Sequence, residues 1–104
     1  MGDQSEQLLR HVVLFAFKGT PEEVRQVEEA FCRLPAQIGE IRAFEWGTDV
    51  SVENIQQGFT HCFLLTFASA ADRDSYLVHP AHQAFGVLIR PVLDKVLVID
   101  YWVR

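Results

Sequence analysis

A chain of 104 residues is long enough for one domain with a real core and too short for a separate cofactor-binding domain. Its 14 acidic and 9 basic side chains leave a net charge of −5, and the basic ones are scattered, which excludes the electrostatic footprint of a nucleic-acid or anionic-lipid binder. No apolar run approaches the roughly 18 residues of a membrane span, and the polar start at residues 1–7 lacks the apolar stretch of a signal peptide; the expectation is one cytoplasmic domain over residues 1–104 with no membrane partner.

Residues 11–18 are β-branched and aromatic without a helix breaker, and predict a first strand that Gly19 ends. Thr20-Pro21-Glu22-Glu23 supplies an N-cap hydroxyl, a first-turn proline and a glutamate at the third helical position, which together make a capping box. The helix that follows carries Val24, Val27, Phe31, Leu34 and Ile38 near a 3.6-residue period, with Pro35 expected to bend it or end it early. Residues 41–46 predict a short strand closed by Gly47, and the polar stretch 48–58 a surface connection. Residues 59–67 predict a third strand. Ser69 with Asp72 opens a second helix that reaches Val78, Pro80 opens a third that stops near Pro91, and residues 96–103 predict the last strand. Cys32 and Cys62 have apolar neighbours and no metal-ligand spacing, so both are expected as buried free thiols.

The order β-α-β-β-α-α-β predicts the ferredoxin-like α+β arrangement, a four-stranded antiparallel sheet with helices on one face. Alternation sends His11, Val13, Phe15, Phe17, His61 and Phe63 to one side and Val12, Leu14, Cys62 and Leu64 to the other, and both sides are apolar. Helices this few cover only one of them. The other needs a second apolar layer, and a second copy of the sheet supplies it, which predicts a homodimer.

The run Tyr76-Leu77-Val78-His79-Pro80-Ala81-His82 concentrates imidazoles and a phenol where one helix ends and the next begins. Pro80 fits the first helical position, which puts His82 in the first turn, where the helix dipole disfavours a second positive charge and leaves a neutral imidazole free to act as a base. His11, His61, Tyr76 and His82 are expected to converge on one largely aromatic pocket, with Val13, Phe15, Phe31, Phe63 and Phe85 as its substrate-binding walls. Taken singly, each imidazole reads better as a strand-end or helix-junction residue, and it is the shared face that brings the pocket reading level with it. Asp100 reads as a strand-end cap and Tyr101 as a packing residue, while Trp46 and Trp102 read as core or dimer contacts. No metal is expected, because no carboxylate or thiolate has ligand spacing and the proline interrupts the pair His79 and His82.

Several segments, in order, are similar to one family: His11-Val12-Val13-Leu14-Phe15, Phe44-Glu45-Trp46-Gly47, Gln57-Gly58-Phe59-Thr60-His61, the stretch from Tyr76 to Phe85, and Val96-Leu97-Val98-Ile99-Asp100-Tyr101. Over about residues 10–101 the chain resembles the stress-responsive dimeric A/B-barrel (Dabb) family. The resemblance implies a dimeric α+β barrel. Through a plant polyketide cyclase of that family it further implies that His82 is a general base, Tyr76 a hydrogen-bond donor, and His11 and His61 pocket histidines. The implied reaction is a lyase-type, cofactor-independent intramolecular aldol condensation of a poly-β-ketide thioester, with a polyketide or aromatic small molecule as ligand. Gly39, Ala84 and Leu93 depart from that cyclase, at positions where the family commonly has proline and the cyclase has glycine and tryptophan. Other members imply a non-catalytic stress-responsive barrel, and the wider superfamily a cofactor-free monooxygenase or a haem-binding barrel.

Overall fold

The computed structural model describes residues 7–104, so the polar start, apart from Gln7, lies outside the described residues. The elements in order are β1 (Leu9–Phe17), α1 (Pro21–Gln37), β2 (Ala43–Thr48), β3 (His61–Phe67), α2 (Ala70–Val78), α3 (Pro80–Ile89) and β4 (Leu93–Trp102), with a single 3-10 turn at Arg90–Val92 joining the last two. The sheet is antiparallel in the order β2-β3-β1-β4, the ferredoxin-like arrangement. Its two central strands are β3 and β1.

Local chemistry sets the boundaries. Thr20 Oγ1 accepts from the Glu23 amide at 3.1 Å while the Thr20 amide donates to Glu23 Oε1 at 2.8 Å, closing the capping box at the start of α1. Ser69 Oγ accepts from the Asp72 amide at 3.1 Å to start α2. Gly19 is required between β1 and α1, because a Cβ there would stand 2.7 Å from Val92 Cγ1.

On the helix side, β1 alternates so that Leu9, His11, Val13 and Phe15 are buried. The aromatic core is built on Phe31 of α1, stacked on Phe63 of β3 with ring centroids 4.1 Å apart, and Phe85 of α3 meets Phe31 edge-on at 5.0 Å. This burial decides two departures from the sequence reading. The first helix runs through Pro35 to Gln37, since Leu34 and Ile38 around the proline are both fully buried and hold the last turn in place. Ile41 belongs to a buried turn whose amide donates to the Ile38 carbonyl, so β2 starts at Ala43.

The other face of the sheet is open. Val12, Leu14, Cys62, Leu64, Leu97 and Tyr101 line a broad groove across it. Edge strand β4 is exposed on both sides, with Val98 at 51 % and Ile99 at 56 %, because the helices pack over the other strands. Both cysteines are free, yet neither is buried. Cys32 follows Phe31 onto the solvent side of α1, and Cys62 alternates with His61 and Phe63 onto the open face. No helix among the described residues is long and apolar enough to cross a membrane.

Candidate active site

The site begins with strand register. His11 in β1 lies opposite Leu65 in β3 and opposite Asp100 in β4, and side chains directly opposite in neighbouring strands share a face. Asp100 therefore stands beside His11 under the helices, and its Oδ1 accepts from His11 Nδ1 at 2.7 Å. Its Oδ2 accepts from Arg73 Nη1, on α2, at 2.8 Å. One helical turn beyond Arg73, Tyr76 lies over the same imidazole, with ring centroids 5.6 Å apart.

The α2–α3 junction then adds His82. His79 ends α2 and caps α3 with its own ring, Nδ1 accepting from the Ala81 amide at 3.0 Å, so its side chain is spent on the junction. Pro80 starts α3, and two residues on, His82 packs against Tyr76 with ring centroids 4.5 Å apart.

Protonation follows from these contacts. The Leu77 carbonyl lies 3.1 Å from His82 Nδ1 and can only accept, so Nδ1 carries the proton and Nε2 keeps its lone pair. Burial lowers the His82 pKa below its ordinary value, His11 lowers it further, and the Leu77 bond opposes both. Desolvation thus favours the same neutral imidazole that the first-turn position leads one to expect. Tyr76 is 1 % exposed, and burial pushes its pKa well above the ordinary tyrosine value, so its hydroxyl stays a donor. The Tyr76 hydroxyl and Nε2 of both His11 and His82 have no hydrogen-bond partner among the described residues, where no fully buried polar side-chain atom lacks one.

His61 is not with them. It faces the same side of the sheet but lies four residues along β3 from Leu65, the partner of His11, which is roughly 13 Å at the rise of a strand. There Nε2 donates to Glu28 Oε2 at 2.6 Å, Nδ1 accepts from Thr60 Oγ1 at 2.7 Å, and the ring stacks parallel to Trp46. The four polar groups expected in one pocket thus divide three to one. Val13, Phe15, Phe31, Phe63 and Phe85, expected as pocket walls, lie in the buried core cluster, and Phe15 pairs directly with His61.

Arg73 and Asp100 were not read as site residues. Asp100 is a partner of His11 rather than a strand-end cap, and only the pairing of β4 with β1 brings it there. Tyr101 and Trp102 are largely exposed, one on each face of β4. Among the described residues no group of three or more histidine, cysteine, aspartate or glutamate side chains is arranged to hold a metal ion.

Comparison with known proteins finds that residues 9–103 match the stress responsive A/B barrel domain. The chain is 41 % identical to the stress-response A/B barrel domain-containing protein HS1 of Arabidopsis thaliana, covering 95 % of this chain and 93 % of that protein. It is 32 % identical to olivetolic acid cyclase of Cannabis sativa, covering 92 % and 97 %. Among solved structures, the hydroxynitrile lyase of Passiflora edulis superposes with a TM-score of 0.88 at 27 % identity, covering 95 % of each chain. A dimeric ferredoxin-like protein of unknown function from Thermobifida fusca superposes with a TM-score of 0.81 at 25 % identity, covering 93 % and 92 %.

Proposed function

The chain belongs to the stress-responsive A/B barrel domain family, and from that premise we propose that it is a cofactor-independent enzyme that removes an acidic proton next to a carbonyl. The reaction that fits best is the polyketide-cyclase type, an intramolecular aldol condensation of a poly-β-ketide thioester. The observation that carries this reading is the pairing of a half-buried, Nδ1-protonated His82 with a buried, protonated Tyr76, their ring centroids 4.5 Å apart. In the proposed reaction His82 Nε2 takes a proton from the methylene between two carbonyls, and the Tyr76 hydroxyl donates to the oxygen on which negative charge develops. The resulting carbanion attacks a distal carbonyl of the same chain, forming the carbon–carbon bond, and the new alkoxide takes up a proton. Two relatives named as a cyclase and a lyase support chemistry of this kind on the fold.

The open face supports a dimer. Neighbours with this fold are described as dimeric, and the apolar groove along Val12, Leu14 and Leu64 is the surface proposed for the second copy. Sedimentation at micromolar concentration should give twice the chain mass. Free thiols suit a reducing compartment, and the cytoplasm is the one proposed.

The test of the chemistry is product formation from linear poly-β-ketide thioesters of several lengths. Acceleration over buffer that is lost in His82→Ala is expected. If no length is accelerated and His82→Ala chiefly lowers the melting temperature, the imidazole is structural. A second reading, a non-catalytic stress-responsive barrel, is favoured by the 41 % identity to a relative whose name states a stress response and no reaction.

A further inference from the structure

Three charged or polar side chains form a line that ends at the site: Arg73 on α2, Asp100 on β4 and His11 on β1. We propose that Arg73 and Asp100 are positioning residues, which hold the His11 imidazole in one tautomer with Nε2 presented beside Tyr76 and His82. This rests on the proton-transfer reading above and adds two residues to it.

The geometry gives each carboxylate oxygen of Asp100 one partner. Oδ1 accepts from His11 Nδ1 at 2.7 Å and Oδ2 accepts from Arg73 Nη1 at 2.8 Å. A carboxylate that accepts at Nδ1 fixes the proton on that nitrogen, so the opposite nitrogen of the ring is the one left to face the site. Arg73 is itself held, its Nε donating to Asp74 Oδ1 at 2.8 Å, so the guanidinium spans two carboxylates and ties α2 to the last strand. The line is anchored at its exposed end. Its inner end is buried, with the His11 side chain 6 % exposed and Asp100 at 23 %.

Burying such a pair is weak evidence for stability, since desolvation offsets much of the attraction. What the arrangement secures is orientation. His11 meets the rings of Phe67 and Tyr76 with centroids 6.2 and 5.6 Å away, and a turn of its ring would break the bond from Nδ1 to Asp100. His82 packs against the same phenol, with ring centroids 4.5 Å apart, so Tyr76 is the shared neighbour of the two imidazoles. The buried pair of His61 and Glu28 has no comparable line, because Thr60 already occupies the second ring nitrogen.

The experiment is side-chain nitrogen NMR of the full-length chain, with the His11 signals assigned by their loss in His11→Gln. Wild type should show His11 protonated at Nδ1. Asp100→Asn presents an amide that can donate as well as accept, so the Nε2-protonated form should appear. Arg73→Met should give a mixture of the two forms, and Arg73→Lys, which keeps a cation near Oδ2, should restore most of the wild-type signal. With the N-acetylcysteamine thioester of a linear tetraketide as substrate, kcat should fall about tenfold in Asp100→Asn while KM stays within about threefold. If Asp100→Asn fails to fold, the Arg73 pair carries the test. An unchanged His11 tautomer in the Arg73→Met and Asp100→Asn proteins would overturn the proposal, and so would a changed tautomer with unchanged kcat. A wild type that forms no product counts against the proton-transfer reading alone; the tautomer still decides whether Arg73 and Asp100 position His11.

Discussion

Two histidines on one face of the sheet make the same bond and do different things. His11 and His61 are both buried, and each has one ring nitrogen on a carboxylate, at 2.7 Å from Asp100 and 2.6 Å from Glu28. They differ at the other nitrogen. That of His61 is engaged by Thr60, and the ring lies flat beside Trp46, so the side chain is satisfied on every side. That of His11 has no partner among the described residues, and its ring lies beside Tyr76, which packs on His82. A buried imidazole is thus no guide to chemistry by itself; the deciding feature is whether one nitrogen is left over.

Substitutions at the two places should separate sharply. The largest effect is expected for His82→Ala, which removes the proposed base and should lower turnover of a poly-β-ketide thioester by about 10² to 10⁴. Tyr76→Phe should cost about 10² in kcat, the typical loss of one transition-state donor, and leave the melting temperature within about 2 °C, because the hydroxyl makes no bond among the described residues. At the other end of the sheet, Glu28→Ala strands His61 Nε2 without its acceptor. It should cost about 1 to 2 kcal/mol, read as a drop in Tm of roughly 5 to 10 °C, while kcat changes by less than about threefold. A Glu28→Ala protein with normal stability and lost turnover would erase the distinction between the two places.

The smallest effect is a pH dependence. His82 has a folded-state pKa below its ordinary 6.5, so the unfolded chain binds its proton first as the pH falls. The stability this contributes is present above about pH 6.5 and is lost as the pH drops through the lowered folded value. His82→Gln should flatten that part of the Tm profile. The acid limb of kcat/KM in the wild type should fall at the same lowered value, below 6.5, since the base must be neutral to accept a proton.

Much of this was legible in the residues and some was not, for reasons that are physical. Capping chemistry marked Thr20, Ser69 and Pro80 as helix starts, and each is one in the structure. Alternation assigned His11, Val13, Phe15, His61 and Phe63 to one face, because a strand repeats every two residues. The same period is blind to position along the strand, which is why His61 could be placed on the right side of the sheet and at the wrong end of it. Asp100 was out of reach altogether. Its neighbours in sequence are apolar strand residues, and its partner is 89 residues away, so no local pattern could announce the pairing. Ile41 misled in the opposite direction, its apolar character serving a buried turn rather than a strand. For His82 the first-turn position was right, and packing that only the tertiary structure supplies adds desolvation as a cause of its lowered pKa.

Because β1 lies between β3 and β4, the strand made first in synthesis must wait for the strand made last before it has both neighbours. Contacts this distant in sequence are costly to close and are late to form. A nascent chain that ended before β4 could stack Phe31 on Phe63 and still have no carboxylate to set His11, since Asp100 would be missing. The aromatic core and the His11–Asp100 pair therefore mature on different schedules, and orientation of His11 is a marker of completed folding that secondary-structure signals would miss.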